Sequence, residues 1–332
     1  MKRFTLFVVI LLACSVAIAQ QHPATQPAAT LMSGIGDIHH PVSTKSPAAQ
    51  QFFDQGLRLI YAFNHDEAAR AFRRAAELDP QMAMAYWGIA EAVGPNYNDP
   101  ANDNRRKQAY EAVQKAVQLS ANSPANEKAY IEAMAQRYPG PADVDWHQAA
   151  INATNAMREV TKKYPEDLDA ATLFAEAEMN LHPWGLWKAD GTPEEGTAEV
   201  VSTLESVIRR DPNHMGAVHY YIHAVEASPS PQRALPQANR LASLAPAAGH
   251  LVHMPAHVYI RTGDYEAAVQ TNEKAAAADR ALHRRARPRS AVPARAARCR
   301  VRARVARLPA GRDGRRVRSC DHRRARLLAR GR

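Results

Sequence analysis

Apolar residues recur at helical spacing from Ser46 to about residue 280, and the breaks between them fall at proline and glycine. Gly56, Ala68, Phe72 and Ala75 take the small, small, large and small positions of a first pair of helices, and Asp79-Pro80 follows. Small residues let two helices approach closely, and the aromatic ring fills the groove between them. Pro80 stops the second helix and frees the chain to begin another. The same pattern predicts a helix over 82–93 with Tyr86 and Trp87 near its start, a Pro/Asn-rich insertion over 94–100, and a second helix over 105–119. Helices over 125–138 and 146–164 form a further pair, broken by Pro139-Gly140-Pro141 and closed by Pro165. Residues 168–181 open the next pair, and a longer insertion over 182–196 precedes its second helix at 197–210.

Beyond this point the spacing becomes regular. Pro212 and Pro246 are 34 residues apart, as are Ala234 and Ala268, and Asp211 and Asp279 are 68 apart. Gly263-Asp264-Tyr265 reads as the turn inside the last intact hairpin. A helix hairpin repeated every 34 residues is the unit of a tetratricopeptide array. The expected fold is therefore all-α, an α-α superhelix of about five to six hairpins over residues 45–280. Stacked hairpins of this kind bury a continuous core between neighbours.

The period also carries chemistry. His219 and His223 lie four residues apart, and 34 residues later His253 and His257 repeat the pair. With Asp211-Pro212 set at positions 31 and 32 of the repeat, both pairs fall at positions 5 and 9 of a first helix. Glu226 falls at position 12 and His250 at position 2. These positions line the concave face of such arrays. Residues four apart share a helix face, with Cβ atoms about 5–6 Å apart, and neighbouring helix axes run about 8–10 Å apart. Imidazoles from two adjacent helices thus point into one volume, a donor set that suits Zn, Cu or Fe. The expected ligand-binding residues are His219, His223, Glu226, His250, His253 and His257, with His219, His223, His253 and His257 as metal candidates. Glu226 either completes the ligand shell or orients a ring from behind, and Glu176, at position 9 one repeat earlier, extends the site. Two metal-free readings stand beside this one: a polar groove that contacts a peptide or small ligand, and histidine pairs that only cap backbone carbonyls. Pro255 lies between His253 and His257, so either the helix starts near Met254 or it runs from Ala247 with a kink.

Charge and composition narrow the partners. The net charge is +10, but residues 281–332 hold nineteen Arg, no Lys and two Asp, a local +17, which leaves −7 on residues 1–280. A basic isoelectric point is therefore no sign that the body binds nucleic acid. The Arg-rich stretch lacks periodicity, Glu and aromatic residues, and has no hydrophobic face to cap a solenoid. Its Arg, Ala, Pro and Gly content is what GC-rich DNA yields in a wrong reading frame, and a frameshift is the expectation for 281–332; a disordered polycationic tail is the other reading. At the other end, Lys2 and Arg3, an apolar run over 4–16 and Ala17-Ile18-Ala19 form a secretory signal over 1–19, cleaved before Gln20. Leu11-Leu12-Ala13-Cys14 resembles a bacterial lipobox, which would anchor Cys14 to lipid instead; its fit is the poorer of the two. Either way the expected location is periplasmic or secreted. Residues 20–44 are Pro-, Ala-, Gln- and Thr-rich and read as a disordered tether. Residues 20–280 contain no cysteine, so helix packing alone must stabilise the body.

Other residues offer less. His39-His40-Pro41 lies in the tether, where such a pair is solvated or folds back over the groove. Asn64-His65-Asp66-Glu67 reads as a hairpin turn and second-helix cap. Trp184 and Trp187 either wall a ligand or pin the insertion to its scaffold. No phosphate loop, HExxH, GxSxG or Cys/His nucleophile pair appears in 20–280.

Several strings resemble a group of exported bacterial tetratricopeptide proteins. They are Asp37-Ile38-His39-His40-Pro41-Val42-Ser43, Tyr61-Ala62-Phe63-Asn64-His65-Asp66-Glu67-Ala68 and Ala85-Tyr86-Trp87-Gly88-Ile89-Ala90. To these add His219-Tyr220-Tyr221-Ile222-His223-Ala224-Val225-Glu226 and His250-Leu251-Val252-His253-Met254-Pro255-Ala256-His257-Val258-Tyr259-Ile260. The resemblance spans residues 35–280, implies the superhelix and export, and assigns no reaction. Members of that group continue with further helices where this chain turns Arg-rich.

The sequence thus predicts an exported binding or scaffold protein with a histidine-lined concave groove for a peptide, a small ligand or a metal, and no nucleic-acid partner. A metal-dependent enzyme that uses the same histidines, with Glu226 as ligand or base, is the competing class.

Overall fold

A computed structural model describes residues 28–286. The segment expected to be a secretory signal, Cys14 and the Arg-rich tail beyond 286 lie outside the described residues. Ser46 accepts the Ala49 N–H at 3.2 Å and Pro47 takes the first turn, so α1 (Pro47–Tyr61) starts where the apolar pattern does. A short turn over 62–64 leads into α2 (His65–Leu78). Then come α3 (Ala83–Val93) and α4 (Asp103–Leu119), α5 (Ala125–Arg137) and α6 (Trp146–Lys163), α7 (Leu168–Met179) and α8 (Thr197–Arg210). The last two pairs are α9 (Met215–Val225) with α10 (Leu235–Leu244), and α11 (Gly249–His253) continued by α12 (Pro255–Thr262) against α13 (Tyr265–Ala286). Each helix packs on the next in sequence, and α1 on α3, α3 on α5 and α7 on α9 bring first helices of neighbouring hairpins together. The chain is therefore an all-α array of six helix hairpins among the described residues.

The small–large pattern explains the spacing. A Cβ on Gly56 would lie 2.6 Å from the Phe72 ring, and one on Gly88 would lie 2.3 Å from it. The ring is thus clamped between the first helices of two successive hairpins, fully buried.

The array then curls until its ends meet. The Tyr61 ring packs against α9 so closely that a Cβ on Gly216 would approach it to 2.5 Å. Residues 28–44, expected to be tether, are instead a strap along the inside of this curl. Ser43 N–H donates to Glu127 at 2.5 Å, His40 Nδ1 to Asp169 at 2.8 Å, and Gly34 O accepts from Ala247 N–H at 2.7 Å. Read from 43 back to 34, the strap visits the third, fourth and sixth hairpins in order, while α1 holds it from the other side through Gln50, Asp54, Gln55 and Arg58. Ile35 and Ile38 are buried in it. The composition of this segment hid the outcome: two apolar side chains and a few backbone groups suffice once six hairpins supply their partners.

Candidate metal centre

Closure of the curl sets the site. His219 and His223 sit one turn apart on the inner face of α9. His250 and His253 come from α11 and His257 from α12. Pro255 has no N–H to give, so the helical ladder breaks there and His257 N–H bonds Met254 O at 3.1 Å. Met254 keeps helical dihedrals (φ −51°, ψ −37°), so the two pieces form one kinked helix that begins at Gly249. That settles the two readings of Pro255 in favour of the kink, and His253 still faces His257.

Five imidazoles converge. His250 Nε2 lies 3.0 Å from His219 Nε2, and His253 Nε2 lies 2.9 Å from His257 Nε2. Ligating atoms of His219, His223 and His250 fall within 4.8 Å of one another, as do those of His223, Glu226 and His257. The tautomers follow from the outer contacts. His219 Nδ1 is 2.7 Å from the Tyr61 carbonyl, an acceptor only, so Nδ1 carries the proton. His223 Nδ1 and His257 Nδ1 donate to the two oxygens of Glu226 at 2.9 and 2.6 Å. His253 Nδ1 donates to Asn272 Oδ1 at 2.6 Å, and the Asn272 amide is oriented by its own bond from Nδ2 to Ala268 O at 2.8 Å. With the Nδ1 proton placed outward, the neutral form of each of these four rings turns a bare Nε2 inward. In that form the Nε2 atoms of His253 and His257 face each other at 2.9 Å, and His223 Nε2 is buried with no hydrogen-bond partner.

Electrostatics favour the neutral rings. Burial, then the neighbouring imidazoles, push His219 and His250 well below the ordinary histidine value. Burial also lowers His223 and His253. Burial works to raise Glu226, but the bonds from His223 and His257 outweigh it and hold the carboxyl at about 2. Glu226 is therefore an anion behind the rings, the position from which an acceptor fixes a ligand's orientation.

The surroundings are aromatic. Phe63, in the left-handed region at φ 50°, stacks on His250 and His223 with centroids 5.2 and 5.7 Å away and meets His219 edge-on at 4.5 Å. Tyr97 and Trp184, each from an insertion, cover His223 at 5.3 and 5.7 Å. The expected open groove is thus corrected: His219 and His223 are 0% and 2% exposed, because the first hairpin and both insertions close over α9. An opening remains at His250 and His253, which border a cleft of about 580 Å³ with Phe63, Asn272, Asp66 and Asp279.

The other candidates separate. Trp187 pins its insertion by donating Nε1–H to Ala224 O at 2.7 Å, whereas Trp184 is the wall. Glu176 does not extend the centre. It accepts from Asn180 at 2.6 Å, and burial, then the Glu91 carboxylate, raise it to about 7. His40 folds back, as one reading had it, but onto Asp169 rather than onto the cluster, and His39 stays near the surface against Asp54. His40, Asp167 and Asp169 also lie within 4.8 Å. Their oxygens already serve Tyr61, Tyr130, His214 and the Ala170 N–H, which makes the group a hydrogen-bonded hub. Asn64 heads α2 without a side-chain cap. Phe63, Tyr97 and Asn272 had no signal in the period of the sequence, because a turn, an insertion and an outer helix carry them.

Comparison with known proteins gives a tetratricopeptide repeat model matching residues 252–282, the last hairpin. No curated protein matches. Among solved structures, YrrB, described as a TPR protein with an unusual peptide-binding site, is similar at 15% identity and a TM-score of 0.29, over 68% of this chain and 92% of that one. The fold described above rests on the hairpin succession itself. No helix of the described residues is long and apolar enough to cross a membrane.

Proposed function

We propose that this chain is an exported helix-hairpin protein that binds a transition metal through His219, His223, His250, His253 and His257, with Glu226 orienting two of the rings. The observation that carries the reading is the facing pair of bare Nε2 atoms on His253 and His257, 2.9 Å apart, with both Nδ1 protons donated elsewhere. Two such lone pairs repel at that distance unless a proton or a metal cation lies between them, and burial disfavours the proton on His253. Imidazole nitrogen selects Zn, Cu or Fe among the available ions. Export, supported by the signal-like N-terminus, places the site where such ions are acquired from outside.

Tetratricopeptide arrays use their inner curve to bind extended segments. Here residues 28–44 of the same chain take that curve, which favours metal over peptide as the ligand of the histidine face. The cleft beside His250 and His253 supports a second reading, in which a small molecule reaches the metal and is polarised by it as by a Lewis acid. Elemental analysis of the purified full chain, loaded with zinc and dialysed, tests the proposal. Retained zinc that disappears when all five histidines are changed to alanine supports it. A parent protein that retains no zinc, copper or iron ends it.

A further inference from the structure

We infer that the cluster holds two metal ions, an inner one on His219, His223 and His250 and an outer one on His253 and His257. The inference rests on the metal-binding reading above and adds a second position to it. Two nitrogens bound to one tetrahedral ion, with bonds of about 2.0–2.1 Å, lie about 3.3 Å apart. The His219–His250 and His253–His257 pairs, at 3.0 and 2.9 Å, come close to that spacing, and a small outward shift of each ring would reach it.

The pairs do not merge. The ligating atoms of His219, His223 and His250 form one group within 4.8 Å, and His253 belongs neither to it nor to the group of His223, Glu226 and His257. His253 instead has its Nε2 2.9 Å from His257 Nε2, apart from the three-nitrogen group. Each position also has its own fixed outer contacts. Tyr61 O sets His219 and Glu226 sets His223 at the inner one; Asn272 and the second oxygen of Glu226 set His253 and His257 at the outer one. Glu226 thus joins the two halves from behind, a single carboxylate orienting one ring of each. The inner position has three protein nitrogens, two of them on fully buried rings, and only His250 reaches the cleft; the outer has two, with His253 at the cleft, so its remaining coordination sites belong to solvent or to a small ligand.

Zinc titration of the full chain by calorimetry, checked by elemental analysis, decides the matter. The expected result is two zinc ions per chain. His253→Ala/His257→Ala is expected to keep one, and His250→Ala, a change at the cleft edge that leaves the α9 core intact, is expected to weaken or lose the other. Cobalt substituted for zinc is expected to give the visible spectrum of two distinct environments, one of which vanishes in each variant. A single zinc ion in the parent, or loss of all zinc in His253→Ala/His257→Ala with an unchanged melting curve, overturns the second position and leaves the metal reading standing. No zinc in the parent removes both.

Discussion

His40 Nδ1 lies 2.8 Å from Asp169 Oδ2 and joins residues 129 positions apart. Asp169 also accepts from Tyr61 OH at 2.6 Å and His214 Nε2 at 3.2 Å, so strap, first hairpin, fourth hairpin and fifth hairpin meet on one carboxylate. His40→Ala removes a hydrogen bond to a charged group, worth about 1.5–3 kcal/mol, and opens a gap beside Phe53 and Tyr130. A fall of several degrees in melting temperature is expected, without loss of helix content by circular dichroism.

The same contact sets a pH dependence. Burial tends to raise Asp169, but bonds from His214 and His40 pull it below the usual carboxylate range. Burial tends to lower His40, but Asp169 raises it overall. The stability from Asp169 is in place above about pH 3.9 and is lost as pH falls towards its depressed native value. The stability from His40 is in place below about pH 6.5 and is lost as pH rises through its elevated native value. The difference in unfolding free energy between parent and His40→Ala should therefore be largest in mild acid and shrink towards alkaline pH. A difference that grows above neutrality would refute the assignment.

Gly216→Ala tests closure of the curl. Its Cβ would meet the Tyr61 ring at 2.5 Å, and neither α1 nor α9 can retreat without moving His219, whose Nδ1 holds Tyr61 O. Overpacking of this kind costs about 1–3 kcal/mol. Metal affinity is expected to fall together with the melting temperature. Gly140→Ala, in an open turn where the nearest atom is 3.5 Å away, should change neither.

The period of the sequence was enough to read the hairpins, and the histidine register was enough to bring the rings together. Both follow from local spacing, since residues four apart share a face and residues 34 apart occupy equivalent places. What spacing could not supply was the inward curl. Whether His219 faces solvent or Phe63 depends on the first hairpin meeting the fifth, a contact between residues some 160 positions apart that leaves no local trace. The strap was hidden for the same reason. His40 in a Pro- and Thr-containing segment has the composition of a tether, and only the Asp169 hub makes it core.

Trp184 offers an optical report. Its ring meets His223 edge-on at 5.7 Å and lies tilted against Tyr97 at 5.0 Å, yet it is 58% exposed, so it contributes little to the core. Copper(II) bound at the inner position should quench its fluorescence. Trp184→Phe should abolish most of that quenching while the unfolding free energy moves by no more than about 0.5 kcal/mol, as for other largely exposed substitutions. Unaltered quenching in Trp184→Phe would place the copper elsewhere.

Glu226→Gln isolates the orienting role from the ligating one. The carboxylate touches Nδ1 of His223 and of His257, not the inward Nε2 atoms. A glutamine keeps the shape but presents one acceptor and one donor in place of two acceptors. The donor faces an Nδ1–H, so one ring must flip its tautomer and move the proton onto Nε2, where it competes with metal. Loss of such an outer acceptor typically weakens metal binding about 10–100-fold. Zinc affinity measured by competition with a chelator should fall by that factor, with the stoichiometry kept. Complete loss of a bound ion would instead make Glu226 a ligand, and an unchanged affinity would show that the rings need no acceptor behind them.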